Sequence, residues 1–481
     1  MSKRDGVVDF LVIGGGTAGI VGAMTAAGYG ASTVLVERDR TGGDCLWSGC
    51  VPSKSIISAA DLAKTRHRAD RSPAERAAEA GADFAGVRER IALAIRTIEP
   101  ADSPDALRAA GVEVITGTAE FTGPGTAEVS GRTIRFRQAL IAVGAAPAVP
   151  AIPGLSTASV VTSETIWDLE TLPARLTVIG GGPVACELGQ AFARLGSEVK
   201  MIIRSRLLPK EDADAAAIVR GSLETDGVQI SEQTAVTCAE HTAAGCRIFL
   251  GDGTAIDAGT ILFAAGRIPR TAGLGLDRIG VDLDERGQVL TDGRMRTSNP
   301  RVWAAGDVTA NPRFTHMAGV HASTAATNAV LGLHQKVSPV VPRVTFTSPE
   351  LAAVGPSPTD HPQYRTRTVT HQHVDRAITD ERTEGFTRLT LGRGGKILGG
   401  TIVGPRAGES LAELTLAVQK GLTTADIART THAYPTYSDG VWNAAIADVR
   451  ERSAAGPTRV AVKTLAFLRR RMVGQHLDGT R

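Results

Sequence analysis

Cysteine is scarce in this chain, and its pattern is uneven. Cys45, Cys50, Cys186, Cys238 and Cys246 make an odd count, unlike a secreted disulfide framework. Only Cys45 and Cys50 form a close pair, so a four-cysteine zinc site is excluded and no metal site is expected. Long apolar runs are missing too: the best stretch, Ala139 to Leu155, is broken by prolines and does not span a membrane. The N-terminus lacks the charged, apolar and small-residue phases of a signal peptide. A net charge of +3, with basic residues spread through 481 positions, does not make the clustered basic face of a nucleic-acid binder. These absences lead to the expectation of a cytoplasmic protein, in a reducing compartment that suits a disulfide able to cycle.

What is present reads as ordinary globular sequence, 42% apolar and 21% charged. The length is too great for one core and suggests roughly three domains. The chain is organised around Gly42-Gly43-Asp44-Cys45-Leu46-Trp47-Ser48-Gly49-Cys50-Val51-Pro52-Ser53-Lys54. A bridge across so few residues closes almost no loop and restrains little, so its use is chemical rather than structural. One thiol can meet a substrate while the other faces an electron carrier. Half a metal site or two unrelated buried cysteines are the alternatives.

Upstream, Val7 to Ile13 is a buried type of strand ending in Gly14-Gly15-Gly16-Thr17-Ala18-Gly19, with helical spacing through Ala27. Glu37 closes the next strand, Thr33 to Glu37. Strand, glycine turn, helix and acid together are a dinucleotide fingerprint: Gly14, Gly16 and Gly19 allow the turn and close approach to pyrophosphate, and Glu37 takes a ribose hydroxyl. Residues about 55 to 112 read as helical packing elements. A strand then ends at Gly144. A second fingerprint begins with the strand Leu176 to Ile179, then Gly180-Gly181-Gly182-Pro183-Val184-Ala185. Where an NAD-selective site would carry an acid, this chain has Arg204-Ser205-Arg206, so Arg204 and Arg206 predict a clamp for the 2′-phosphate of NADPH. A solvated arginine pair at a strand end is the alternative. Thr260 to Pro269, containing Gly266, echoes the strand that ends at Gly144. Val302 to Asp307 is a third strand-to-glycine turn, its acid Asp307 placed for a polyhydroxy chain.

The motifs arrive in one order: fingerprint, Cys-x4-Cys-Val-Pro-Ser-Lys, second fingerprint, Ala-Gly-Arg-x-Pro, Ala-Ala-Gly-Asp, Thr-Phe-Thr-x-Pro-Glu, and a Tyr-Pro-Thr box. From residue 5 to about 450 this order resembles the flavoprotein pyridine nucleotide–disulfide oxidoreductases, the group of glutathione reductase, dihydrolipoamide dehydrogenase and mercuric reductase. The resemblance implies an α/β fold with two Rossmann-like dinucleotide-binding domains and a C-terminal α+β dimerisation domain. Its segments are 1–150 and 271–340 for FAD, 151–270 for NAD(P)H, 341–450 for dimerisation, and a basic amphipathic tail at 451–481. It implies a homodimer with FAD at Gly14, Gly16, Gly19, Glu37 and Asp307, and NADPH or NADH at Gly180 and Gly182. Gly144 and Gly266 join the cofactor set. Cys45 resembles the exchange thiol of a Cys45–Cys50 redox disulfide and Cys50 the charge-transfer thiol. Lys54 matches the lysine near the flavin and Glu187 its ion-pair partner.

One departure concerns the proton donor. Thiol reductases of this family carry His-Pro-Thr with an acid five residues on; here Tyr434 stands at the histidine position and Asp439 at the acid. A phenol, with an ordinary pKa near 10, is a poor base at neutral pH. His432 would substitute only if the local backbone differs. Tyrosine at this position is similar to mercuric reductase, yet no cysteine follows Cys246 to hand a soft metal inward, and no N-terminal metal-binding domain is expected. The reading is an FAD-dependent, NADPH-preferring oxidoreductase passing electrons through Cys45 and Cys50 to a small acceptor: a quinone, a reactive oxidant or a thiol-reactive electrophile. Small-disulfide or dihydrolipoamide chemistry is the alternative, and mercury reduction the third. Trp47, between the cysteines, either lines the acceptor site or fills an interface. The tail helix, Val460 to Met472, predicts a surface or subunit contact rather than membrane docking, since one short basic helix binds a bilayer weakly.

Overall fold

A computed structural model describes residues 6–67, 73–155, 160–242, 245–357, 361–454 and 456–478. The chain divides into two compact units, one of residues 1–207 and 223–339 and the other of 208–222 and 340–481.

The first unit is built on one mixed sheet, parallel except for an antiparallel run at one edge, and one parallel sheet. Its N-terminal part runs β1 (Val7–Ile13), α1 (Thr17–Gly28), β2 (Thr33–Glu37), α2 (Gly43–Trp47), α3 (Cys50–His67), α4 (Pro73–Asp102), α5 (Pro104–Ala109), β3 (Val112–Thr116), β4 (Ala119–Gly123), β5 (Thr126–Val129) and β6 (Arg132–Ile141). The sheet order is β3-β2-β1-β6-β5-β4, with Val302–Ala304 also pairing to β6. β1 lies parallel to both β2 and β6, as a strand–helix–strand crossover requires. Alternation along β1 explains its apolar run. Phe10 and Val12 pack on one face with Ala18, Ala23 and Ala26 of α1, while Leu11 and Ile13 pack on the other with Phe121 and Phe136.

The second sheet repeats the scheme with five parallel strands, ordered Gln229–Ser231, Glu198–Ile202, Arg175–Ile179, Thr260–Phe263 and Val160–Thr162. The two sheets' exit segments, Ala145–Pro147 and Arg267–Pro269, pair antiparallel, with Gly144 accepting from the Arg270 N–H at one end of the ladder and Gly266 from the Ala148 N–H at the other. The segment 55–112 is helical as far as Ala109 where described, and Val112 opens β3.

The second unit is α+β. Its antiparallel sheet has the order Arg343–Thr345, Glu350–Val354, Ile397–Gly404, Phe386–Leu391, Arg365–Thr370. Helices Ala407–Lys420 and Asp439–Ala454 cover an aliphatic core that includes Leu389, Ile402, Leu414 and Val441. Residues 208–222, read in the sequence as part of the NAD(P)H segment, belong to this unit. Arg343 pairs with Glu211 at 3.0 Å, Arg388 with Asp212 at 2.7 Å and Asp214 at 2.8 Å, and the Ser222 hydroxyl donates to the Ser348 carbonyl. The tail folds as a helix, Gly456–Asp478.

Candidate active site

Both glycine turns are forced by close backbone approach. Gly14 has φ +104°, and a Cβ there would lie 2.4 Å from the Ala142 carbonyl oxygen; at Gly19 it would lie 1.7 Å from that of Gly14. Only glycine lets α1 start so close to β1. Gly180, with φ +141°, stands in the same relation to the Ala264 carbonyl, again at 2.4 Å.

Three helix N-termini in this unit have neither a capping side chain nor an acid in the first turn among the described residues. They begin after Gly16, after Gly182 and after Phe314. The N–H groups and positive dipole ends of such termini suit the phosphates of dinucleotides. A Cβ at Gly182 or Gly144 would meet nothing within 4 Å, so the backbone there is open to a ligand. Glu37 accepts from the Gly15 N–H at 2.6 Å and, through its other oxygen, from the Asp39 N–H at 2.9 Å, which holds its carboxylate on the first turn. Asp307 follows Gly306, whose φ is +79°. Burial pushes its carboxyl above the usual range, against the opposing charges of Arg267 and Arg313. The residues therefore fit the FAD and NAD(P)H that the sequence implies. Arg204 is exposed and Arg206 half-buried at the end of the strand Glu198–Ile202.

The dithiol lies on two successive helices, a division the sequence pattern does not show. Cys45 sits within α2, and Cys50 is the first residue of α3, with Pro52 in its opening turn. Both thiols are free in this structure. The Cys45 thiol hydrogen-bonds to the Cys50 sulfur, which is the largest influence drawing Cys50 down to about 6. The Thr315 hydroxyl, 3.3 Å from Cys50 Sγ, and the charge of Lys54 act in the same direction, while burial opposes them. The same bond, with burial and the Cys50 charge, pushes Cys45 upward. One sulfur is thus prepared as a thiolate and the other holds its proton.

The surrounding loop is clamped. Arg267 pairs with Asp44, next to Cys45, and its Nε lies 3.4 Å from Asp307. The Trp167 indole N–H donates to the Ser48 carbonyl at 2.9 Å. Trp47 donates to the Thr41 carbonyl at 2.7 Å, with the Arg40 guanidinium 3.9 Å above its ring, so it braces its own loop. Lys54 pairs with Glu187 at 2.8 Å, the glutamate side chain only 6% exposed. Further along the same two helices, Arg194 pairs with Asp61 and, at 2.7 Å, with Asp226, which also takes Lys64 at 2.7 Å. These ion pairs hold α3 against the helix Pro183–Leu195. Sequence reading missed Thr315, Asp44, Asp61 and Arg194. Nothing local marks their roles, although Asp44 and its partner Arg267 both stood inside quoted motifs.

In the second unit, Tyr434 is 67% exposed and its hydroxyl donates to Asp375, a bond that raises its pKa. The sequence expectation that Asp439 orients Tyr434 is corrected here. Asp439 is buried at the start of its helix, where it accepts from the Thr436 N–H at 3.2 Å and the Thr436 hydroxyl at 3.4 Å. It acts as a cap for its own turn, taking the Thr436 backbone N–H that precedes the helix. His432 has both ring nitrogens engaged: Nε2 lies 2.7 Å from Glu413 and Nδ1 2.9 Å from the Thr430 carbonyl. Its ring stacks on Trp442, with centroids 5.3 Å apart.

Residues 8–322 match the family described as pyridine nucleotide-disulphide oxidoreductase, and residues 341–445 match its dimerisation domain. Among curated relatives, a mercuric reductase of Streptomyces lividans is 35% identical over 448 residues, covering 90% of this chain and 94% of that protein. Dihydrolipoyl dehydrogenase 2 of Haloarcula marismortui is 35% identical over 459 residues, covering 91% and 96%. Among solved structures, LpdA of Mycobacterium tuberculosis superposes with a TM-score of 0.82 at 28% identity, covering 92% of this chain and 99% of its own. The HOCl-induced flavoprotein disulfide reductase RclA of Escherichia coli has a TM-score of 0.80 at 25% identity, covering 90% and 98%.

Proposed function

Because the chain belongs to the pyridine nucleotide-disulphide oxidoreductases, enzymes that use FAD and NAD(P)H, we propose that it carries electrons from NADPH to a small acceptor that needs no imidazole proton donor. Quinones, reactive oxidants and thiol-reactive electrophiles are the acceptor classes. The observation that carries this reading is the occupied tyrosine box: the Tyr434 hydroxyl is given to Asp375, and both nitrogens of His432 are taken by Glu413 and Thr430. A disulfide acceptor needs a proton delivered to its leaving thiolate, whereas a quinone or strong oxidant does not depend on an imidazole acid.

In this reading Gly14, Gly16, Gly19, Glu37 and Asp307 hold FAD, with Gly144 beside them. Gly180, Gly182 and Gly266 receive the nicotinamide dinucleotide, and Arg204 and Arg206 take its 2′-phosphate. Bound FAD supplies the relay between the nicotinamide and the thiols. Cys50 holds the thiolate, stabilised by Cys45, Thr315 and Lys54. Cys45 keeps its proton until it meets the acceptor; thiolate and thiol then close to a disulfide, giving the acceptor two electrons and the one proton Cys45 held. Glu187 keeps Lys54 in place. The dimerisation domain supports a homodimer. No described helix is long and apolar enough to cross a membrane, and we place the enzyme in the cytoplasm.

Mercuric ion reduction is the second reading, favoured by the similarity to the Streptomyces relative. Against it, no cysteine follows Cys246. Steady-state NADPH oxidation by the holoenzyme, compared across menadione, lipoamide, glutathione disulfide and Hg(II) with excess thiol, tests both. Menadione should give the highest kcat/KM. Dominance of lipoamide or Hg(II) would replace the proposal by that chemistry.

A further inference from the structure

The helix Gly456–Asp478 follows the part of the chain matched by the dimerisation domain, and the proposed electron transfer makes no use of it. Its chemistry is two-sided. At 100° per residue, Ala461, Leu465, Leu468 and Met472 fall on one stripe, and Arg459, Lys463 and Arg470 on the opposite one. Arg469 and Arg471 flank them, and the segment from Gly456 to Leu477 contains no acid. Val460, Val462, Leu465, Phe467, Leu468 and Met472 are all 49–67% exposed. Arg471 folds back over the Phe467 ring at 4.7 Å, the posture of a long cationic side chain shielding its own apolar neighbour from water.

A purely water-facing helix would have a polar surface all round, and a helix awaiting an ordinary protein groove would carry mixed charge at its rim. This one combines exposed aliphatic and aromatic side chains with five cations and no compensating acid in that segment. That charge is complementary to an anionic surface, and the apolar stripe suits a layer in which it can be submerged. We infer that Gly456–Asp478 docks the enzyme onto an anionic lipid bilayer, the apolar stripe entering the headgroup boundary and the arginines pairing with lipid phosphates. One such helix binds weakly, but a homodimer carries two, and the second engages at the high effective concentration set by the first. The inference does not depend on which acceptor the dithiol serves.

Co-sedimentation of the full-length holoenzyme with vesicles tests it. Binding is expected to mixed phosphatidylglycerol–phosphatidylcholine vesicles and to fall by about tenfold or more on pure phosphatidylcholine or in high salt. Replacing Arg469, Arg470 and Arg471 with glutamine should weaken it to a similar degree. So should the pair Leu465→Ser and Leu468→Ser, which leaves every charge in place. A chain ending at Ala454 should lose binding while keeping its dimer and its NADPH turnover. Failure of the full-length protein to sediment with anionic vesicles, or equal binding to neutral ones, would overturn the inference. A monomeric truncated chain would overturn it as well, by making the helix a subunit contact.

Discussion

The two glycine turns of the first unit share one backbone and differ in what stands at the end of the following strand. In each, a glycine with positive φ presses against a carbonyl of the neighbouring strand at the same 2.4 Å from its hypothetical Cβ, Gly14 on Ala142 and Gly180 on Ala264. In each, the next helix begins without a capping side chain. After the first turn, Glu37 is drawn onto the Gly15 N–H. After the second, Arg204 and Arg206 stand instead. In the proposed reading the turn makes a place for a diphosphate, and the strand-end side chain chooses which ribose is accepted.

The third small position separates the turns most sharply. Gly19→Ala puts a methyl within 1.7 Å of the Gly14 carbonyl oxygen, whereas Ala185 already occupies the equivalent place in the second turn. The Gly19 variant should lose about 3 kcal/mol or more and emerge without flavin or aggregated. A yellow, stable Gly19→Ala protein, judged by absorbance and thermal melting, would erase the distinction. Next in size, replacing Arg204 and Arg206 with glutamate should lower the NADPH-to-NADH ratio of kcat/KM by about a hundredfold, the scale of two charge-assisted bonds. An unchanged ratio would return the arginines to solvent.

Only the first turn is followed by a dithiol, and its titration is the third test. In the reduced enzyme, alkylation of Cys50, followed by mass spectrometry, should be fast above about 6 and fade as the pH falls through that value, because the thiolate is the reacting form. Thr315→Val removes one donor to the sulfur. The midpoint should rise by about one unit, which slows alkylation near pH 6 several-fold. A fixed midpoint would leave Cys45 and Lys54 as the sole supports of the thiolate. The smallest effect belongs to Ala185→Gly, expected to cost about 1 kcal/mol of stability through helix entropy with NADPH affinity unchanged. A large loss of affinity would show that the methyl, and not merely its fit, matters to the turn.

Much of the fold was legible because it depends on residues close together in sequence. Buried strand runs, glycine turns and the acid at Glu37 all lie within a few tens of residues, so the local backbone requirement and the motif are the same thing. The site was legible only in its named motif residues. Cys45, Cys50, Lys54 and Glu187 carried motif signals, but the partners that set their chemistry did not. Thr315 is 265 positions from Cys50, and Arg267 is 223 from Asp44. The tyrosine box went furthest astray, since the family resemblance suggested Asp439 for Tyr434, and the fold turns Asp439 inward to cap its own helix.

The sequence alone determined that two dinucleotide turns, a closely spaced cysteine pair and a basic two-sided tail follow one another. Each is imposed by local steric or charge patterning. Tertiary structure alone decided that Cys50 heads a helix beside Thr315, that Arg267 braces the redox loop, and that Asp375 takes the Tyr434 hydroxyl. Those outcomes depend on which distant surfaces bury one another, and hydrogen-bond partners follow from that packing rather than from separation along the chain.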